Sequence, residues 1–271
     1  MLSKYLFALS GLLFVIVVGL YFSGNKAMTG PPLILFFLSM AITMRSTQNL
    51  KGFTFTVLIF AAVSLSMFYP QPFIELEGFQ LKKLIVPLLQ IIMFGMGTAM
   101  SFNDFYGIIQ MPKGVLVGLV CQFSIMPFLG FSLATIFNFP AEIAAGVVLI
   151  GSSPRGLASN VMAYLAKANV ALSVTLTAVA TIVAPFMTPM LMKYFAGAFV
   201  PIDFVAMMLS IVKMVILPVI LGLVFNHFFH GRAKWLDKAM PIVSMTAIAL
   251  IIVIITAAGR DSLLSLSLIH I

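Results

Sequence analysis

Charged residues are scarce in this sequence, and their scarcity decides the class of protein. Asp, Glu, Lys and Arg make up 8% of the 271 residues, whereas 62% are hydrophobic and the mean hydropathy is +1.18. An ordinary soluble domain is about one quarter charged, so this composition excludes a soluble globular protein. We therefore expect an integral membrane protein whose main partner is the lipid bilayer.

Cysteine, histidine and acidic residues are also few, which excludes several kinds of site. The single Cys121 lies in a hydrophobic run, so there is no disulfide framework and no cysteine metal site. The seven acids lie at segment ends or in loops, which leaves no membrane-embedded carboxylate pair for acid–base chemistry. His227 and His230 are three residues apart without a third ligand, which favours an interfacial role over a metal site. We do not expect an enzyme.

The net charge of +8 arises from cations scattered among the loops, with no basic tract for nucleic acid. If every segment crosses, eight loop cations lie on the side of the N-terminus and five on the other. The richer side is normally cytoplasmic. We expect a multi-pass protein of the inner cell membrane with its N-terminus in the cytoplasm.

Nine hydrophobic segments predict an all-α polytopic membrane helix bundle. Most approach the roughly 20 residues that span a hydrocarbon core. Segment 33–44 is short and either tilts or re-enters, whereas segment 170–195 is long and has candidate kinks at Pro185 and Pro189. The segments are 5–22, 33–44, 53–69, 84–100, 115–137, 143–165, 170–195, 204–229 and 240–258.

The sixth segment is interrupted in the middle. Residues 151–160 read Gly-Ser-Ser-Pro-Arg-Gly-Leu-Ala-Ser-Asn, a poor continuous helix because proline removes an amide donor and glycine loosens the backbone. A bilayer tolerates such a break where protein or a water-filled cavity satisfies the freed backbone groups, as at the sites of many transporters. The sequence favours a discontinuous helix that carries a binding site; the alternative is a loop at the membrane surface.

Neutral oxygen-bearing side chains follow this break. Ser159 and Asn160 open its second half, and Ser173, Thr177 and Thr181 follow at i, i+4 and i+8 on the next helix. Hydroxyl, amide and freed carbonyl oxygens suit a hard cation such as sodium, and Gln122 in the fifth segment adds another. The alternative is that the hydroxyls bond their own helix while Asn160 and Gln122 join helices.

Two cations, Arg155 and Lys213, lie inside hydrophobic segments. Arg155 at the break faces either an anionic substrate or the carbonyl end of the first half-helix, or it snorkels to a headgroup. Lys213 is expected to snorkel or to line a pore edge.

Several blocks of sequence resemble the bile acid:sodium symporter family over roughly residues 53–258. They are residues 91–97 (Ile-Ile-Met-Phe-Gly-Met-Gly), 122–127 (Gln-Phe-Ser-Ile-Met-Pro), 140–143, 151–177 and 210–214. The resemblance implies a sodium-coupled symporter of an organic anion that works by alternating access. It also implies two inverted repeats, each with a broken core helix, and panel helices at 53–69, 84–100, 204–229 and 240–258.

Carried over by motif, the resemblance makes Ser159, Asn160, Ser173 and Thr177 ligands of a first sodium ion and Gln122 a ligand of a second. We expect Pro154, Arg155 and Gly156 to contact the substrate, which is bile acid-like or a smaller carboxylate. The family commonly has Pro-Gly-Gly-Thr at the break, whereas this chain has Pro-Arg-Gly-Leu, and this difference favours the smaller anion.

The resemblance also predicts the domain organisation. Residues 1–52 are extra N-terminal segments, 53–200 form the first repeat and 201–271 begin a second, incomplete repeat without its broken helix. We accordingly expect a C-terminally truncated chain. The alternatives are a sodium-independent organic anion transporter or efflux protein, and a membrane binding protein that does not transport.

Overall fold

The computed structural model describes residues 2–23, 26–46, 52–156, 158–229 and 234–269. It is 87% helical, which confirms the predicted all-α polytopic membrane fold. In the described ranges the only strands are a two-residue antiparallel pair, β1 Glu75–Leu76 and β2 Phe79–Gln80. The helices are α1 Leu2–Phe22, α2 Gly30–Ser46, α3 Thr54–Phe68, α4 Gln71–Ile74, α5 Ile85–Thr98, α6 Phe102–Gln110, α7 Pro112–Ile136, α8 Ala141–Ser152, α9 Ala158–Leu165, α10 Val170–Phe195, α11 Phe204–Ile211, α12 Leu217–Phe229 and α13 Lys234–Ile269.

Five helical stretches in the described residues are long and apolar enough to cross a membrane. They are Leu81–Thr98, Pro112–Ile136, Val170–Ala198, Phe204–Phe228 and Ala239–Asp261. Shorter apolar helices of 10–17 residues run over Phe7–Leu20, Gly30–Ser46, Thr54–Phe68 and Ala141–Ser152. The chain is therefore a multi-pass membrane protein.

The chain divides into two compact units, of which the first comprises residues 1–89 and 241–271. Its helices α1, α2 and α3 pack through aromatic rings, with ring centres 5.6 Å apart for Phe14 and Phe36 and 5.7 Å for Phe37 and Phe60. Gly30 lets α2 approach the Phe68 ring, because a Cβ there would lie 2.7 Å from the ring carbon Cγ. The serine and threonine hydroxyls buried in α2 and α3 donate to carbonyls of their own helices. These bonds offset the cost of removing the hydroxyls from water.

The second unit, residues 90–240, is organised around α10. Half of the 26 residues of α10 are buried, and these are mostly alanine, serine, threonine and proline. Small side chains let other helices come close: Gly107 of α6 lies against Thr175, and Gly114 and Gly118 of α7 lie against Leu172 and Leu176. The most buried helix of this unit is therefore also the one that carries the predicted polar stripe.

Helices α7 and α8 form an antiparallel hairpin within this unit. Gly130 packs against the carbonyl of Val147, and Gly151 packs against the carbonyl of Met126, where a Cβ would lie 2.5 Å from the oxygen. Both glycines are therefore needed for the close approach of the two backbones. This hairpin brings the last turn of α8 beside the middle of α7, next to the buried Pro127.

The structure differs from the sequence prediction in three places. Residues 102–110 form the short helix α6, and the predicted span 204–229 contains a π-helical turn at Val212–Ile216 around Lys213. The segment predicted to end at residue 258 continues as one helix to Ile269, so Arg260 and Asp261 lie within a helix and not in a loop. One glycine costs a long helix only about 1 kcal/mol, so Gly259 does not end it.

Candidate functional site

The interruption of the sixth segment is present as two half-helices separated by non-helical backbone. The first, α8, ends at Ser152, and the second, α9, begins at Ala158. Ser153 has the extended backbone angles φ −85° and ψ 150°. Extended geometry is what the residue before a proline prefers, because the Pro154 ring excludes the α conformation there. The position of the proline thus explains where the first half-helix stops.

Three of the predicted ion-site residues lie together at the start of the second half-helix. The hydroxyl of Ser173 donates to Asn160 Oδ1 at 2.7 Å, and that of Thr177 lies 3.3 Å from the same oxygen. Ser173 is 8% exposed and Thr177 is 2% exposed, whereas Asn160 is half-buried. Three neutral oxygen atoms from two helices therefore lie close together.

Local bonds hold this cluster in position. Thr177 Oγ1 is also 3.0 Å from the carbonyl of Ser173, and Thr181 Oγ1 donates to the carbonyl of Thr177 at 2.8 Å. The side chain of Asn169 caps α10 by accepting from the amide of Leu172 at 3.0 Å. Such a cap fixes the first turn of the helix that carries Ser173.

The other two predicted ion ligands do not bond this cluster. Ser159 directly precedes Asn160 in the chain, but its Oγ donates to the carbonyl of Gly156 at 2.8 Å. Gln122 Nε2 donates to the carbonyl of Ser153 at 2.9 Å, at the opposite end of the break. Gln122 thus contacts the break apart from the Asn160 cluster, and its assignment to a second ion site stays a prediction.

The predicted substrate residues lie on the connecting backbone. Pro154 and Arg155 are half-buried, and Gly156 is exposed with open space where a Cβ would be. In the part of the chain that the structure describes, the amide N–H groups of Arg155 and Gly156 have no hydrogen-bond partner. These donors and the guanidinium precede the N-terminus of α9, an arrangement suited to an anion.

One residue of this site was missed by the sequence prediction. Thr188, seven residues after Thr181 on the same face of α10, donates through its hydroxyl to the carbonyl of Ser152 at 2.8 Å. The continuation of the stripe past Thr181 was the available signal. Ser152 itself is 0% exposed, and its hydroxyl has no hydrogen-bond partner among the residues that the structure describes.

No group of three or more His, Cys, Asp or Glu side chains that could hold a metal occurs in the described residues. His230 and His270 lie outside those residues, as do Lys51, Leu157 and Arg232. The side chains that meet beside the break, Asn160, Ser173 and Thr177, carry neutral oxygens. Such oxygens suit a hard monovalent cation better than a transition metal.

A family model decides the identity of this fold. The model described as the sodium bile acid symporter family matches residues 86–266, which is more than half of the chain. The chain belongs to this family. The match includes both half-helices and α10, so the cluster around Asn160 lies within the shared region.

Individual relatives of the symporter family agree. The "uncharacterized sodium-dependent transporter YocS" of Bacillus subtilis is 36% identical over 226 residues, covering 83% of this chain and 69% of that protein. The "probable sodium/metabolite cotransporter BASS1, chloroplastic" of Arabidopsis thaliana is 34% identical over 191 residues, covering 68% of this chain and 48% of that protein. A rice relative, BASS2, is 33% identical over 191 residues and 46% of its length is covered. The chain thus spans about half the length of these plant relatives.

Membership in the symporter family confirms two predictions from the sequence. The resemblance noted in the blocks around residues 91–97 and 151–177 is correct. The named relatives are transporters, which agrees with the expectation that the protein is not an enzyme.

Proposed function

We propose that the protein is a sodium-coupled symporter of a small organic anion and that it works by alternating access. The observation that carries this proposal is the convergence of Ser173 and Thr177 on Asn160 Oδ1 beside a helix break. Polar groups inside a bilayer are costly, so a buried cluster of this kind favours a functional role. The relatives named as sodium-dependent support sodium as the coupled ion.

Sodium is a transported substrate in this proposal, and the donor set fits it. Asn160 Oδ1 accepts from the Ser173 hydroxyl at 2.7 Å, and the Thr177 hydroxyl lies within reach of it at 3.3 Å and of the Ser173 carbonyl at 3.0 Å. When a cation enters, each O–H turns away so that an oxygen lone pair faces the ion. Thr177 Oγ1 stays near its present position because it bonds the carbonyl of Ser173 in its own helix. Ser173 stays in place because the Asn169 cap fixes the first turn of α10.

The organic anion binds at the connecting backbone between the half-helices. Arg155 supplies charge, the amides of Arg155 and Gly156 supply donors, and the open space beside Gly156 supplies room. A bound sodium ion at Asn160 adds positive charge on the same side, so the ion and the anion bind more tightly together than alone. This mutual stabilisation is the physical basis of coupling.

The first test measures sodium binding without any substrate. The melting temperature of the purified protein is expected to rise with sodium chloride but not with choline chloride, because a ligand that binds only the folded state stabilises it. The variant Thr177→Val keeps the shape and removes the hydroxyl, and it is expected to raise the half-saturating sodium concentration at least tenfold. Thr246→Val is the matched control, since Thr246 is exposed and bonds only its own helix at Ile242.

The second test measures transport in proteoliposomes, with taurocholate and pantoate as probes of a large and a small organic anion. Sodium-driven uptake of either anion is expected to stop when choline replaces sodium. Equal uptake in choline would instead favour a sodium-independent transporter or exporter. Binding of the anion without flux would favour a membrane binding protein and would overturn the proposal.

A further inference from the structure

Hydroxyl groups in this chain mostly bond carbonyls three or four residues earlier in their own helix, as Thr181 bonds Thr177 and Ser210 bonds Ala206. Thr188 departs from this pattern. Its hydroxyl donates across to the carbonyl of Ser152, the last residue of α8, at 2.8 Å. Thr188 is 3% exposed and Ser152 is 0% exposed, so this bond lies in the packed interior.

A second side chain supports the same end of α8. Gln122 of α7 donates to the next carbonyl, that of Ser153, at 2.9 Å. A helix that stops leaves its last carbonyls without intrahelical partners, and within a bilayer there is no bulk water to satisfy them. Thr188 and Gln122 therefore supply hydrogen bonds that the broken helix has lost.

Helix α10 thus contacts both ends of the break, with Thr188 at one end and Ser173 and Thr177 at the other. Thr177 and Thr188 are 11 positions apart in α10, which is about 16 Å at 1.5 Å per residue. Both half-helices are thus held against the same helix, and the bond from Thr188 sets where the end of α8 lies relative to the face of α10 that carries Ser173 and Thr177.

We infer that Thr188 is a positioning residue for the ion site: it fixes the carbonyl end of α8 and thereby sets where Asn160 meets Ser173 and Thr177. The inference rests on the proposed sodium site, and Thr188 itself touches neither the ion nor the substrate. Loss of its hydroxyl frees the carbonyl of Ser152, loosens the connecting backbone and widens the Asn160 cluster.

The test uses a graded series at position 188 in the purified protein. Thr188→Val has the same shape without a donor, Thr188→Cys has a weak S–H donor, and Thr188→Ser keeps the hydroxyl. We expect amide hydrogen exchange in residues 153–160 to quicken at least tenfold in the valine variant, less in the cysteine variant and not in the serine variant. The half-saturating sodium concentration, read from the melting temperature, should rise at least fivefold in the valine variant, less in the cysteine variant and not in the serine variant.

Thr135→Val is the matched control, because Thr135 of α7 is exposed and bonds Phe131 of its own helix at 2.9 Å. It should change neither quantity. The serine rescue separates a lost hydrogen bond from general damage, since both substitutions alter the same buried position.

Two outcomes distinguish this inference from the proposed function. An unmodified protein whose stability does not respond to sodium contradicts the proposed function. A sodium-responsive protein whose valine variant responds at the same concentrations, with unchanged exchange in residues 153–160, contradicts the role of Thr188 alone. Equal effects from Thr188→Val and Thr135→Val would contradict it as well.

Discussion

Two hydroxyl oxygens from one face of α10 lie beside a single amide oxygen, Asn160 Oδ1, at 2.7 Å for Ser173 and 3.3 Å for Thr177. A helix face repeats every three to four residues, so Ser173 and Thr177 reach the same point only because they are four residues apart. The spacing was visible in the sequence. The identity of the acceptor was not, because it depends on how α9 lies against α10.

An isosteric exchange at this residue tests the oxygen cluster. Asn160→Asp keeps the shape of the side chain, replaces the amide nitrogen with an oxygen and adds a negative charge. We therefore expect a lower half-saturating sodium concentration than in the unmodified protein. Asn160→Leu has a similar size without oxygens and should abolish the sodium response. Melting temperature against sodium chloride, with choline chloride as the ionic control, measures both.

The aspartate variant also predicts a pH dependence. Its carboxylate is ionised above its pKa and attracts sodium, whereas the protonated acid below that pKa is a poorer cation ligand. The gain in sodium affinity should therefore be present at high pH and disappear as the pH falls, while Asn160 itself gives no such change. A leucine variant that still responds to sodium would contradict the assignment of this site.

Ser152 provides a contrast with Thr188 at the same contact. Both residues are buried, but the Ser152 hydroxyl has no partner whereas the Thr188 hydroxyl is bonded. An unpaired buried hydroxyl costs about 1–3 kcal/mol of desolvation. Ser152→Ala should therefore leave the unfolding free energy unchanged or raise it by about 1 kcal/mol, and Thr188→Val should lower it. Unfolding in detergent by chemical denaturant measures the two; a loss of stability in Ser152→Ala would show that its hydroxyl is bonded.

Several helix pairs in this protein meet through glycines, because the lipid offers little hydrophobic drive for association and close packing must replace it. Gly97 of α5 and Gly222 of α12 touch, and Asn226 Nδ2 donates to the carbonyl of Met100 at 2.8 Å at the end of the same pair. Nearer the other end, Gln90 Nε2 donates to the carbonyl of Lys213 at 3.3 Å. That carbonyl belongs to the π-helical turn, a local feature often found at functional sites.

A methyl group at either glycine should disrupt this helix pair. A Cβ on Gly97 would lie 2.2 Å from the carbonyl oxygen of Val219, and one on Gly222 would lie 2.2 Å from that of Phe94. Gly97→Ala and Gly222→Ala should each cost about 1–3 kcal/mol, the usual penalty of overpacking. Gly19→Ala is the control, since nothing lies within 4 Å of a Cβ there. Thermal unfolding compares the three, and equal melting temperatures would contradict the close contact.

At the scale of the whole molecule, the orientation in the membrane follows from the loop cations, eight on one side and five on the other. If every segment crosses, this count predicts that the β1–β2 hairpin faces outward and that the start of α7 faces the cytoplasm. This orientation stays a prediction of the positive-inside rule. The predicted repeats, residues 53–200 and 201–271, likewise stay a prediction, and the two compact units of the structure divide the chain at other positions.

Cysteine labelling tests the orientation. The only native cysteine is Cys121, so Cys121→Ser gives a cysteine-free parent. Glu75→Cys, in the exposed hairpin, should react with a membrane-impermeant maleimide in intact cells, whereas Lys113→Cys should react only after permeabilisation. The parent without cysteine sets the background. Reversed labelling would place the N-terminus outside.

The sequence by itself determined the membrane class, the helical fold, the interruption within residues 151–160 and the stripe that begins at Ser173. The membrane class follows from the composition of the whole chain. The break and the stripe follow from Pro154 and from the helical repeat, which involve only a few neighbouring residues. The span of α10 is the same in prediction and structure, Val170–Phe195, because its hydrophobic run has clear ends.

Only the tertiary structure decided which groups meet. The bond from Thr188 to Ser152 joins residues 36 positions apart, and that from Gln122 to Ser153 joins residues 31 apart. Such pairings depend on which helix faces touch. The glycines that allow the close approach, such as Gly151, do not recur at a regular spacing, so the sequence does not show which helices meet. The helix α6 and the π-helical turn escaped prediction for a similar reason, since packing against neighbours stabilises them more than their own sequence does.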